Sequence, residues 1–197
     1  RVVLHEQSQP LYLEGYHRPD YHSPDDAVYD AITDLMSNGR TSRLYRTLVR
    51  DKQIASDSAG FSGLPGNKYP HLFAFYAFPI PGHKPEEMAD AIHGEIERLK
   101  KEDISDEELK MIKTRAKASL LRSLGSNEGL ASNLGLFQAR YEDWRELFRS
   151  VDRIDKVTKA DIRRIANQIF VPDNRTVGII EFAGPPGPAP APQGGAQ

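Results

Sequence analysis

The 197-residue chain has no cysteine. Disulfides and thiolate metal sites are therefore excluded, and the redox compartment stays open. Charge of one sign is also missing. The 26 Lys and Arg stand against 28 Asp and Glu, for a formal net charge of -2, so nothing supplies the positive field that a phosphate backbone requires, and no nucleic-acid partner is expected. No apolar run approaches the roughly 20 residues of a bilayer-crossing helix, and no membrane span is expected. Six histidines are present, yet neither His-Glu-x-x-His nor its inverted form His-x-x-Glu-His can be written anywhere, which removes the usual helix-borne zinc pair. A phosphate loop and a dinucleotide fingerprint are absent as well. The stretch Gly60-Phe61-Ser62-Gly63 leads into a turn rather than a strand-serine-helix elbow. No catalytic residue, metal ligand or cofactor is expected in this chain.

What is present is the composition of a globular domain, with 39% hydrophobic and 27% charged residues. A chain of this length buries roughly 70% of the surface its unfolded form exposes. One domain is expected over residues 1–182. Residues 183–197, almost entirely Gly, Pro, Ala and Gln, have too little apolar surface to offset their ordering entropy and read as a disordered tail. The opening Arg1, without methionine or an apolar leader, is what a chain cut from something longer would show.

Periodicity gives the elements between. Residues 2–4 and 11–16 read as extended. Ser23-Pro24-Asp25-Asp26 offers an N-cap, a first-turn proline and first-turn acids, opening a helix whose buried stripe is Ala27, Val28, Ala31, Ile32, Leu35 and Met36. A short helix is expected over 42–49, then strands over 54–62 and 72–78. The second of these is aromatic on both faces, as an interior strand covered on both sides would be. Pro85 opens a helix burying Met88, Ile92, Ile96 and Leu99. Ser105 and Glu108 form a capping box opening another, with Leu109, Ile112, Ala116, Leu120 and Leu124 inward. A looser helical region punctuated by Gly125, Gly129 and Gly135 follows, then a Thr158-capped helix and a last strand over 176–182. Strand pairs separated by helices imply an α+β fold, with a mixed, mainly antiparallel sheet and helices packed mostly on one face.

Among polar candidates, His93 and Glu97 lie four apart on a helix, but no second histidine is near; a solvated face of His93, Glu95 and Glu97 is the expectation. His17, His22, His71 and His83 read as polar positions in loops or at strand ends. Arg43 and Tyr45 read as a surface ion-pairing cation and a packing ring.

The run Asn38-Gly39-Arg40-Thr41-Ser42-Arg43-Leu44-Tyr45-Arg46-Thr47-Leu48-Val49-Arg50-Asp51-Lys52-Gln53-Ile54-Ala55 combines a glycine helix stop, a Ser-Arg-Leu step and a basic-acidic-basic helix end before a strand. It resembles the C-terminal, non-zinc half of pitrilysin/insulinase-type (mitochondrial-processing-peptidase-like, inverzincin) metallopeptidases. The likeness continues through Pro81-Gly82-His83, Ser105 and Asn174-Arg175-Thr176-Val177-Gly178, covering about residues 2–182. It implies a LuxS/MPP-like half that closes a peptide chamber. Its partner would be a homologous zinc-bearing half, in the same polypeptide or on a separate subunit, and its substrate an unfolded peptide. Zinc is expected in that missing half, and the chain alone is expected to be inactive. The family's helix-end arginine matches Arg50, whose ordinary alternative is a C-terminal helix cation favoured by the macrodipole. The tyrosine that usually acts with it, six or seven residues on, is replaced by Ser56 and Asp57. The substrate-binding positions carried over are thus Arg50 and Ser56, a serine hydroxyl being shorter than a phenol and an aspartate unsuited to a developing oxyanion. The alternatives are a catalytically silent structural or assembly scaffold of the same fold and a stand-alone peptide-binding module. A bacterial periplasm or cell envelope is the compartment that the resemblance implies.

Overall fold

A computed structural model describes residues 1–66 and 68–184. Five strands form one sheet: β1 (Val2–Glu6), β2 (Leu11–Arg18), β3 (Ala55–Leu64), β4 (His71–Pro79) and β5 (Arg175–Phe182), in spatial order β1-β5-β2-β4-β3. Three of the four pairings are antiparallel, and β1 lies parallel to β5. The expected α+β class, mainly antiparallel, is what forms.

Side chains alternate across a strand, and the register decides which face each enters. Tyr12, Glu14, Tyr16 and Arg18 of β2 face the same side as Phe73, Phe75 and Ala77 of β4 and Ile179 of β5, and all are buried. Over them pack α1 (Asp26–Ser37) on β3, α2 (Pro85–Lys101) on β4 and β2, and α6 (Lys159–Ile169) on β2. Phe170, just past α6, drops into the aromatic group, with ring centroids 5.1 Å from Tyr16 and 5.3 Å from both Phe73 and Phe75. Gly60 of β3 pairs with Phe75, and a Cβ there would lie 2.6 Å from that ring. The close approach of strand to ring requires glycine at this position.

The helix stripes of α1, α2 and α6 are buried as their spacing predicts. The capping box of α3 (Asp106–Ser123) forms both bonds, Glu108 N–H to Ser105 Oγ at 3.0 Å and Ser105 N–H to Glu108 Oε2 at 2.9 Å. Its expected inward stripe is only partly realised. Ile112 alone is fully buried, because α3 lies behind α1 in an outer layer with α4 (Asn127–Tyr141) and α5 (Glu146–Lys156) rather than on the sheet.

Several boundaries differ from expectation. Residues 23–25 form a turn, with Asp26 N–H on the Ser23 carbonyl at 3.0 Å, and α1 begins at Asp26 without a side-chain cap. Of the two acids expected in the first turn, Asp26 lies there and pairs with Arg18 at 2.5 Å, while Asp25 precedes the helix and pairs with Arg164 at 2.5 Å. The helix expected over 42–49 runs on to Asp51 as a π-helix (Tyr45–Asp51), closed by Lys52 N–H to the Thr47 carbonyl at 3.0 Å. Gln53, at φ 51°, then turns the chain into β3. β4 is an interior strand, as its aromatic content suggests, but helices cover one of its faces only. Of the tail expected over 183–197, all but Ala183 and Gly184 lies outside the described residues.

Candidate functional site

The sequence-predicted site residues fall at the entry to β3. Arg50 lies in the last turn of the π-helix with its guanidinium turned to the adjacent Asp51, at 2.6 Å and 3.2 Å, and both side chains are exposed. This bond, more than the charge itself, holds the Asp51 carboxyl below and the Arg50 guanidinium above their ordinary pKa values. Arg50 lines an open cleft of about 470 Å³ with Arg46, Thr47, Glu95, Arg98 and Met111. Ser56 sits in the β-bulge between Ala55 and Asp57. Its hydroxyl donates to the Phe78 carbonyl at 3.3 Å and accepts from Gln9 Nε2 at 3.5 Å. No hydrogen bond among the described residues joins Ser56 to Arg50.

Two neighbouring expectations are corrected. Arg43 is buried rather than a surface cation, its guanidinium forked onto Glu108 through two bonds of 3.0 Å. Glu95 is buried, accepting from the Thr47 hydroxyl at 2.7 Å, so the face of α2 bearing His93, Glu95 and Glu97 is fully solvated only at Glu97, with His93 partly covered.

His93 points inward over β2, where its Nε2 lies 2.7 Å from Glu14 Oε2 and 2.6 Å from an Arg175 Nη1. Tyr12 donates its hydroxyl to the same Glu14 oxygen at 2.7 Å. Glu14 is fully buried, with Oε1 unpartnered. Burial, reinforced by the Glu14 charge, holds both the Tyr12 and Tyr16 phenols far above their ordinary range. A divalent cation does not fit here, since the Arg175 guanidinium occupies the approach to the histidine nitrogen that would ligate it. His71, expected as a polar strand-end residue, is buried, with Nδ1 on the Tyr69 carbonyl at 2.9 Å and Nε2 3.4 Å from the Ser62 hydroxyl. Among the described residues no cluster of three or more histidines and carboxylates is arranged to hold a metal.

Among the described residues no helix packs on the second face of the sheet. Leu13, Leu72, Tyr76, Phe78 and Ile180 project there, each partly exposed. Phe61 joins them from β3, 6.1 Å from the Tyr76 ring, and Phe78 lies 5.6 Å from it. Tyr76 donates its hydroxyl to Asp57 Oδ2 at 2.9 Å; burial first, and this carboxylate second, raise its pKa. Sequence reading missed Tyr76 as a functional candidate. The available signal was its even-numbered register with Leu72 and Phe78, opposite the buried set Phe73, Phe75 and Ala77.

A comparison of sequence families matches residues 1–116 to the family described as the peptidase M16 inactive domain. The zinc protease PqqE of Helicobacter pylori is 31% identical over 187 residues, covering 91% of this chain and 40% of that protein. The chain thus spans two fifths of that curated relative's length. Among solved structures, a protease from Helicobacter pylori superposes with a TM-score of 0.84 at 26% identity, covering 91% of this chain and 43% of that one. An inactive peptidase domain from Bordetella parapertussis superposes with a TM-score of 0.77 at 27% identity, covering 89% of this chain and 94% of that one. No helix among the described residues is long and apolar enough to cross a membrane. With the family matched over more than half its length and the same sheet and helices found in solved relatives, the chain belongs to the peptidase M16 inactive-domain family.

Proposed function

We propose that this chain is the non-catalytic half of a zinc metalloendopeptidase, closing a chamber over a zinc site on a homologous half in the same polypeptide or on a separate subunit. The observation that carries this reading is the helix-free sheet face, an apolar wall of Leu13, Phe61, Leu72, Tyr76, Phe78 and Ile180 on a domain of the inactive family. An unfolded peptide, with apolar side chains and free main-chain amides, is the ligand that such a wall suits. Arg50 is the positive group offered to that peptide. Ser56 contributes at most a weak contact, because its hydroxyl is committed to Phe78 and Gln9. Tyr76, held by Asp57, supplies the phenol that positions 56 and 57 lack. We place the complete protein in the bacterial cell envelope, which fractionation of cells making it would test.

The decisive experiment compares peptide hydrolysis and zinc content for the chain alone and for the complete protein or reconstituted pair. Hydrolysis and stoichiometric zinc are expected only in the complete assembly. Chelator-sensitive hydrolysis by the chain alone would overturn the reading, and silence in both would favour the scaffold. In an active assembly, Arg50→Ala is expected to lower kcat/KM at least tenfold, a loss of about 1.4 kcal/mol in transition-state binding, with folding unchanged because Arg50 is exposed and, among the described residues, its hydrogen bonds go to the exposed Asp51 alone.

A further inference from the structure

Beyond the end of β2, side chains of α1, α4 and α5 enclose a cavity of about 200 Å³. That exceeds the space of a single water yet falls below the roughly 300–1,000 Å³ of a drug-sized pocket, so the natural occupant is a molecule of a few heavy atoms. Most of the charges on its wall already have partners. Arg18 is bonded to Asp26 at 2.5 Å and to the Ser62 hydroxyl at 2.7 Å, and it stacks 3.8 Å over the Tyr29 ring. Arg153 reaches Glu146. His71 is held by the Tyr69 carbonyl.

Two charges remain. Among the described residues the Asp30 carboxylate accepts no hydrogen bond, and the Arg140 guanidinium makes neither a hydrogen bond nor an ion pair, yet both line this cavity. They feel each other. Burial is the largest influence on Asp30 and raises its pKa to about 6; the Asp26 charge adds to that rise, while Arg18, Arg140 and Arg153 oppose it. A simple ammonium entering here would meet the guanidiniums, and a simple anion would meet Asp30 and Asp26. A ligand bearing both charges satisfies both. The stacked rings of Phe137 and Tyr141, 5.3 Å apart, give the wall an apolar panel beside the charged pair.

We propose that this cavity binds a small zwitterion of the α-amino-acid class, its ammonium on Asp30 and its carboxylate on Arg140. Asp30, accessible from the cavity, then exchanges water for a charged donor, and Arg140 gains the planar acceptor that a guanidinium binds best. The site is independent of the chamber-closing role and does not need the zinc half.

The test uses the 197-residue chain with L-alanine and L-serine as probes, and methylamine and acetate as single-charge controls. Calorimetry should give a dissociation constant of about 1 mM or tighter for the amino acids and a raised melting temperature, with neither control binding comparably. Asp30→Asn and Arg140→Gln should each weaken alanine binding at least tenfold. Folding of the first variant is secured by its own signature. A carboxyl whose folded pKa exceeds its unfolded value stabilises below about pH 4, and that contribution is lost as pH rises through about 6. Asp30→Asn without ligand should therefore melt above wild type at pH 7.5, with the advantage gone near pH 4. No binding by either amino acid at about 10 mM, about two orders of magnitude weaker than a typical metabolite site, would overturn the proposal. So would methylamine or acetate binding as well as alanine, or undiminished affinity in Asp30→Asn.

Discussion

Phe75→Ala is expected to destabilise the chain by about 3–5 kcal/mol, as a fully buried aromatic truncated to a methyl does. This is a large part of the roughly 5–15 kcal/mol that holds a domain together. The ring sits at the middle of β4 with no exposed surface, between Phe73, Tyr16 and Phe170. Nothing adjacent is placed to fill the space. Its cross-strand neighbours are Gly60, which has no side chain and whose N–H is tied to the Ser37 hydroxyl of α1, and Glu14, whose carboxylate is held by Tyr12 and His93. The neighbouring rings are held by three separate elements, so collapse onto the void would have to move α6 or β2. Denaturant unfolding measures the loss as a lower midpoint at unchanged slope. Phe78→Ala, three residues on and facing the helix-free side, should cost less than about 1.5 kcal/mol, because the ring is only partly covered. Equal losses at the two positions would mean that the open face is buried in the folded chain, and the wall proposed for the chamber would have no surface left to offer.

The same pair shows how much the sequence discloses. Alternation in β4 separates Phe73, Phe75 and Ala77 from Leu72, Tyr76 and Phe78, but it cannot say which set meets helices. That depends on strand order and on which side the α2 and α6 crossovers fall. The three-to-four spacing in α1, α2 and α6 predicts their buried stripes because those helices lie directly on the sheet. It overstates the stripe of α3, where burial is set by α1 and α5 instead of by the sheet. The candidate site was legible in part. That Arg50 lies at a helix end before a strand could be read from sequence because the Ser-Arg-Leu step and the helix end lie in one local run. The inward turn of His93 could not, since it depends on Glu14 and Arg175, 79 and 82 residues away. Asp30 and Arg140 illustrate the same limit, for only the packing of the helices brings these two charges, 110 residues apart, to the wall of one cavity.

Glu108→Gln is expected to cost about 3 kcal/mol, near the lower end for breaking a buried ion pair because the carboxylate is a fifth exposed. The substitution keeps the shape and, through its one amide oxygen, the acceptor of the α3 capping box, so the loss falls on the charge and on the Arg43 Nε bond, whose acceptor becomes an amide NH2. Arg43 cannot lose its proton, is almost wholly buried, and already has Nη1 without a partner. Removing the carboxylate charge leaves a desolvated cation with nothing to neutralise it. Burial pushes the Glu108 carboxyl up, but the Arg43 bonds, the Ser105 N–H and the charges of Arg43 and Arg46 outweigh it and hold the pKa below the ordinary value. A depressed folded pKa contributes stability above the unfolded value of about 4.3 and loses it as pH falls. The gap between wild type and Glu108→Gln should therefore be full at pH 7 and close progressively below about pH 4. A pH-independent gap would mean that cap geometry, not charge, was lost. Changing both partners, Arg43→Met with Glu108→Met, should recover most of the deficit, because the desolvation cost disappears with the ions. Such a recovery with peptidase activity intact in the complete assembly would assign the Ser-Arg-Leu step to folding. Arg50 would then be the arginine of that run whose only partner is its exposed neighbour, free to meet a substrate.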